Sequence, residues 1–205
     1  MMKSSCEIKS AKIYLAGFVA GTVFCFLLIR TFPEIYLAFI ELLIRKMEVQ
    51  MEFGKSFHLG IPTVIILNNV SASFIMSYGG TLLCRIYMAL KEGTVKACYL
   101  LLHVFPVLVL FLNGFVLGAF LLMYLTYYSE RVFEFLAGLF PHGIFEIPGI
   151  ILAGAIGLRI AELGRLENVA ELKNRMNGAA KGTLGRYVIV VALLVIGGIM
   201  EGSKI

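Results

Sequence analysis

Leu139-Phe140-Pro141-His142-Gly143-Ile144-Phe145-Glu146-Ile147-Pro148-Gly149-Ile150 runs directly into Ile151-Leu152-Ala153-Gly154-Ala155-Ile156-Gly157-Leu158. One histidine and one glutamate stand alone in a stretch with no other polar side chain. From Ile144 to Leu163 the run is long enough to cross a bilayer, which takes about 17–25 apolar residues. Read as a membrane span, it carries a titratable pair one helical turn apart. That reading fixes the class of fold, and the rest of the chain agrees with it.

Hydrophobic residues make up 60% of the 205 and charged ones 15%, with a mean hydropathy of +0.90. A soluble domain is far more polar. Further spans are expected at Ile13–Ile29, Ile61–Leu83, Ala97–Tyr127 and Tyr187–Met200. The run 97–127 would extend about 45 Å as one helix against about 30 Å of hydrocarbon, so a kinked or broken helix is expected there. The fold class is therefore an all-α polytopic helical membrane bundle with about five spans, and residues 1–205 read as a single integral membrane domain.

The formal charge of +5 belongs to topology and lipid headgroups. No basic run alternates with aromatics, so no nucleic-acid partner is expected. With the N-terminus inside, twelve of the eighteen Lys and Arg fall on inner segments and six on outer ones. This predicts a multi-pass protein of the cell membrane, N-terminus cytoplasmic and C-terminus outside. The first span has a basic lead but no small-residue exit and ends at Arg30, so an uncleaved span is expected. Cys6, Cys25, Cys84 and Cys98 have no metal or redox spacing and read as small apolar residues.

Two segments between spans are predicted to lie along the membrane. Residues 31–52 form an outer amphipathic helix, opened by a capping box at Thr31-Phe32-Pro33-Glu34. Glu34, Glu41, Arg45, Glu48 and Glu52 line one face, opposite Ile35, Phe39, Leu42, Leu43 and Met47. Residues 129–140, with Ser129 as N-cap, are too few to cross and read as a short re-entrant or interfacial segment stopped by Pro141. Arg159 to Met176 continues the fourth span as an amphipathic helix. Asn177 to Thr183 is a turn, its order of residues wrong for a phosphate loop.

Polar groups inside spans are costly and need partners. Asn68, Asn69 and Asn113 are candidates, and the simplest expectation is that Asn113 bonds Asn68 or Asn69. Pro62…Asn69 and Pro106…Asn113 share a seven-residue interval, the outline of an inverted repeat of broken helices. Glycine pairs Gly17/Gly21 and Gly114/Gly118, with Gly149/Ala153/Gly157, predict close backbone packing within the protomer or between copies. His142 and Glu146 are expected to form a polar corner at the outer mouth that pins the incoming turn. The alternatives are ion or proton handling, or the first two ligands of a divalent metal, for which His142 and Glu146 are the candidates.

The ordered series Ile65-Ile66-Leu67-Asn68-Asn69, Leu110-Phe111-Leu112-Asn113-Gly114, Pro141-His142-Gly143-Ile144-Phe145-Glu146 and Ala153-Gly154-Ala155-Ile156-Gly157-Leu158 resembles the stage II sporulation protein M family over about residues 12–200. In place of the glycine-rich stretch expected between Asn69 and Asn113 stand Gly79-Gly80 and a basic loop. The resemblance implies about five spans and marks Asn68, Asn69, Asn113, His142 and Glu146 as motif positions. In spore-forming bacteria, members act in engulfment beside cell-wall-degrading enzymes; the family also includes many archaeal membrane proteins. It implies a membrane scaffold or complex component, with a small channel or transporter for an ion or small solute as the alternative. No enzyme activity and no cofactor are expected. The expected partners are membrane lipids, a second copy in a homo-oligomer (a dimer), and membrane or cell-envelope proteins.

Overall fold

A computed structural model describes residues 4–89, 95–162 and 169–202. Among them are α1 (Ser4–Thr31), α2 (Pro33–Ser56), α3 (Ile61–Phe74), a π-helical turn (Ile75–Gly79), α4 (Gly80–Ala89), α5 (Val95–Tyr127), a 3₁₀ turn (Ser129–Arg131), α6 (Val132–Glu162) and α7 (Val169–Gly202). No strand occurs among the described residues. Five stretches are long and apolar enough to cross a membrane: Ser5–Thr31, Ile61–Ala89, Lys96–Tyr127, Gly143–Glu162 and Glu171–Glu201. The chain is an all-α membrane bundle.

Residue pairings set the direction of each helix. Gly17 meets Phe111, and Gly21 meets Phe115, so α1 and α5 run parallel. Gly154 meets Leu110, Gly149 meets Leu194 and Gly198 meets Ile66, so α6 opposes α5 and α7 opposes both α6 and α3. The spans therefore alternate. One end of the bundle holds Arg85, Arg159 and Arg186, with Arg186 paired to Glu7 at 3.5 Å; it is called the basic end here. Arg30, α2 and Arg131 lie at the other.

Glycine makes the main joint possible. A methyl group on Gly17 would press into the carbonyl oxygen of Phe111, whose carbonyl carbon is 2.9 Å away, and one on Gly114 would meet the backbone of Tyr14 and Phe18. Gly21 and Gly118 repeat the contact one turn further. Two i,i+4 glycine pairs thus lie against each other across α1 and α5, backbone to backbone. These stripes are occupied inside the protomer, so a dimer would have to use another surface.

Several local expectations are corrected. α5 is one helix through Pro106 and not two broken halves, with Pro106 packed against α6 at Gly157. Pro62 opens α3, whereas Pro106 lies inside α5; the two are not equivalent breaks. Thr31 does not cap α2: its hydroxyl bonds back to Leu27 O at 2.7 Å, and Phe32 holds the cap position. Ser129 starts the 3₁₀ turn and makes no capping bond to α6. Residues 177–183 lie inside α7, not in a turn, and 169–176 belong to α7 as well.

Among the described residues of α2, Tyr36, Ile40 and Gly54 are buried, while Ile35 and Leu42 stay exposed. Tyr36 stacks on Tyr127 with ring centroids 5.9 Å apart, and its buried hydroxyl has no partner. The Glu41–Arg45 pair forms as spaced, at 3.8 Å. α2 ends in a Schellman closure, with Leu59 N donating to Gly54 O and His58 N to Lys55 O. His58 holds the left-handed position at φ 56°.

The most consequential correction concerns α6. Segment 132–140 does not turn back at Pro141; it forms the first turns of the same helix that carries the span. Glu146 therefore stands fifteen residues after Arg131 and thirteen before Arg159, about 22 and about 20 Å along the axis. It sits at the middle of α6 and in the first turn of the apolar stretch Gly143–Glu162.

Candidate functional site: an intramembrane carboxylate

The carboxylate of Glu146 is held from α3. Asn69 Nδ2 donates to Glu146 Oε1 at 2.8 Å, and Asn68 Nδ2 donates to Asn69 Oδ1 at 3.3 Å. Three polar side chains form a line across the α3–α6 joint. Its outer end, Asn68, faces a groove of about 360 Å³ between α2 and α3 lined by Val49, Phe53, Gly54, Leu59, Val64, Leu67 and Ser71. Its inner end is Glu146.

Space for the carboxylate comes from α7. A Cβ on Gly197 would lie 2.5 Å from Glu146 Cγ, so only glycine leaves the side chain its place. Tyr14 of α1 and Glu201 of α7 are near enough to interact with Glu146 electrostatically. None of the ion pairs among the described residues includes Glu146. A carboxylate within an apolar span is expensive in hydrocarbon, and such groups usually mark ion or proton pathways.

Of the five residues singled out by sequence, the structure joins Asn68, Asn69 and Glu146. Asn113 is elsewhere: its amide donates to Val109 O of its own helix at 2.8 Å. The reason is packing. α5 lies chiefly against α1, α6 and α4, while α3 lies against α7, so Asn113 has no route to Asn68 or Asn69. It satisfies itself on the carbonyl one turn back. The side chains of Pro141 and His142 lie outside what the structure describes, so the pairing of His142 with Glu146 falls there too. With no turn at Pro141 to hold, the pinning role has no object. No three His, Cys, Asp or Glu converge on a metal-binding arrangement among the described residues.

A second polar feature was hidden in plain spacing. Asn69, Ser73, Ser77, Thr81 and Arg85 recur every four residues along the second span, running from Glu146 towards the basic end. Ser73 Oγ and Tyr187 OH are 3.2 Å apart and share Val70 O as acceptor, at 2.8 and 3.2 Å. Ser77 Oγ donates to Ala153 O at 3.0 Å. Tyr78 OH and Thr183 Oγ1 are 3.3 Å apart. Thr81 Oγ1 is buried with no partner, and Arg85 donates to Asn177. The π-helical turn falls in the midst of this stripe and lets Ser77 and Tyr78 face α6 and α7 together. π-turns are frequent at functional sites.

Fold and site define a polytopic α-helical membrane protein with an amide-held carboxylate in the first turn of its fourth apolar stretch. The family model described as Stage II sporulation protein M (SpoIIM) matches residues 10–203, nearly the whole chain, and the protein belongs to that family. No curated protein matches it. No solved structure matches it either.

Proposed function

We propose that this chain works through Glu146, as a small channel or carrier site that takes up a proton or small monovalent cation inside the membrane. The observation that supports it is the Asn69–Glu146 hydrogen bond at the centre of α6. An amide donor leaves the second carboxylate oxygen available, and no cation among the described residues neutralises the charge. The reading assigns the protein no bond-breaking chemistry and no cofactor. A lipid-soluble carbodiimide, which reacts with protonated carboxyls in the membrane, tests it. The expected product is an adduct on Glu146, formed more slowly when the competing cation is present. Absence of an adduct at every pH at which the protein stays folded would remove the reading.

A second reading, a scaffold or complex component, is favoured by a different observation. α2 is a 24-residue helix that leaves Ile35, Leu42, Val49 and Phe53 exposed, an apolar stripe along one face. In this reading α2 is the shelf for a cell-envelope partner or a second copy, and the positive-inside rule places it outside the cell membrane. Cross-linking from α2 in native membranes tests it; adducts to lipid alone would count against it.

A further inference from the structure

Cys6, Cys25, Cys84 and Cys98 are free and buried. Cys6 lies beside Glu162 and Cys25 beside Tyr36. Cys84 and Cys98 differ: fourteen residues apart in the chain, they meet across the joint of α4 and α5. The Cys84 thiol donates to Cys98 O at 3.1 Å and lies within hydrogen-bonding reach of the Cys98 thiol. We propose that the two form a dithiol site that a lipid-soluble quinone oxidises to a disulfide, tying the end of α4 to α5. The inference is independent of the carboxylate reading.

The register of the two helices brings the thiols together. α4 and α5 run antiparallel: Gly80 meets Leu101 and Leu102, and Cys84, one turn on, meets Cys98, one turn back. A Cβ on Gly80 would lie 2.9 Å from the Leu102 Cα. One further carbon–carbon bond of about 1.5 Å keeps those two Cα atoms within about 4.4 Å. A turn rises about 5.4 Å, and helices crossing at about 20–50° shift sideways by about 2–4 Å over it. The Cα atoms of Cys84 and Cys98 are then about 5–6 Å apart, inside the roughly 4.4–6.8 Å that a disulfide spans. In the reaction two S–H bonds break and one S–S bond forms. The two electrons and two protons pass to the quinone, which leaves as quinol. Quinones dissolve in the apolar layer, and the pair lies at its edge, Cys84 in the stretch Ile61–Ala89 and Cys98 in Lys96–Tyr127. The thiols are only 0% and 1% exposed, so oxidation waits on a local opening. Cys84 stands five residues before the end of α4 and Cys98 three after the start of α5, and helix ends open at the lowest free energy. Once formed, the bond holds the turn that carries Arg85 and its contact with Asn177.

The test uses the full-length protein in lipid vesicles and a fully substituted decyl-chain benzoquinone, whose ring leaves a thiol no carbon to add to. The expected products are one quinol per chain and, after digestion, a linked pair of peptides holding Cys84 and Cys98. A phosphine reductant should restore both thiols. Amide exchange over residues 84–89 should slow about tenfold on oxidation, because the closed ring removes open states. Cys84→Ser and Cys98→Ser should each abolish quinol formation, while Cys6→Ser and Cys25→Ser should leave it unchanged. The linked peptides are read on the native sequence, so that result stands whether or not the serine variants fold. The proposal falls if the folded protein keeps all its thiols open to alkylation after the quinone. It falls equally if the bond joins another pair or two copies of the chain. Unchanged exchange in the oxidised protein would overturn the tie between α4 and α5.

Discussion

Placing a single methyl group on Gly17 should damage this protein more than most side-chain deletions would. The added Cβ would sit 2.9 Å from the carbonyl carbon of Phe111 and 3.0 Å from its Cα, nearer still to the oxygen. Carbon atoms rest at about 3.5–4.0 Å, so α1 and α5 must part by about 0.5–1 Å, a gap that forfeits a quarter to a half of each contact across the joint. Backbone cannot rotate away as a side chain can, so the loss lies towards the upper end of about 1–3 kcal/mol for overpacking. Gly114→Ala should act alike, and the double variant should cost less than the sum, because the first methyl already opens the joint. Gly182→Ala is the control: nothing lies within 4 Å of its added Cβ, and alanine in a helix gains about 0.5–1 kcal/mol over glycine. The same substitution thus takes opposite signs at two places. Denaturation in detergent measures all four variants. A Gly17→Ala protein as stable as Gly182→Ala would show that the α1–α5 contact is not as described.

Gly197→Ala should destabilise by about 1–3 kcal/mol by displacing Glu146, and Glu146→Ala should cancel most of that loss; equal losses in both backgrounds would separate the two residues. Asn69→Leu should cost about 0.6–2 kcal/mol, one intramembrane hydrogen bond, whereas Asn113→Leu, whose bond stays within α5, should leave the α3–α6 joint intact when probed by cross-linking. His58→Gly should stabilise by about 1 kcal/mol, since glycine holds a left-handed backbone without the clash of a Cβ; a lower melting temperature would contradict the closure of α2.

Five spans were legible from apolar run lengths alone, because the cost of exposing polar backbone to lipid leaves few alternatives. Helix ends were less so. Pro141 and the glycines of 177–183 read as breaks, yet α6 and α7 run unbroken through them. That misplaced turn made Glu146 read as part of a corner, whereas α6 runs unbroken on both sides of it. The sequence pointed to Asn68, Asn69 and Glu146 by cost, but pairing depends on which helices touch. Asn113 has the same chemistry and a different neighbour. Gly197 carried no signal of its own, being one small residue among many. The four-residue interval from Asn69 to Arg85 was visible, and extending it through Thr81 would have drawn the stripe.

The most direct test of Glu146 as the working group is proton uptake into vesicles driven by a potassium diffusion potential, with matched amounts of the native protein and of Glu146→Gln. The amide keeps the size of the side chain and its bond to Asn69, so both proteins should melt alike. The native protein should carry protons well above protein-free vesicles, and Glu146→Gln should fall to their level. Equal flux in the two proteins, or none in the native one, would contradict the assignment.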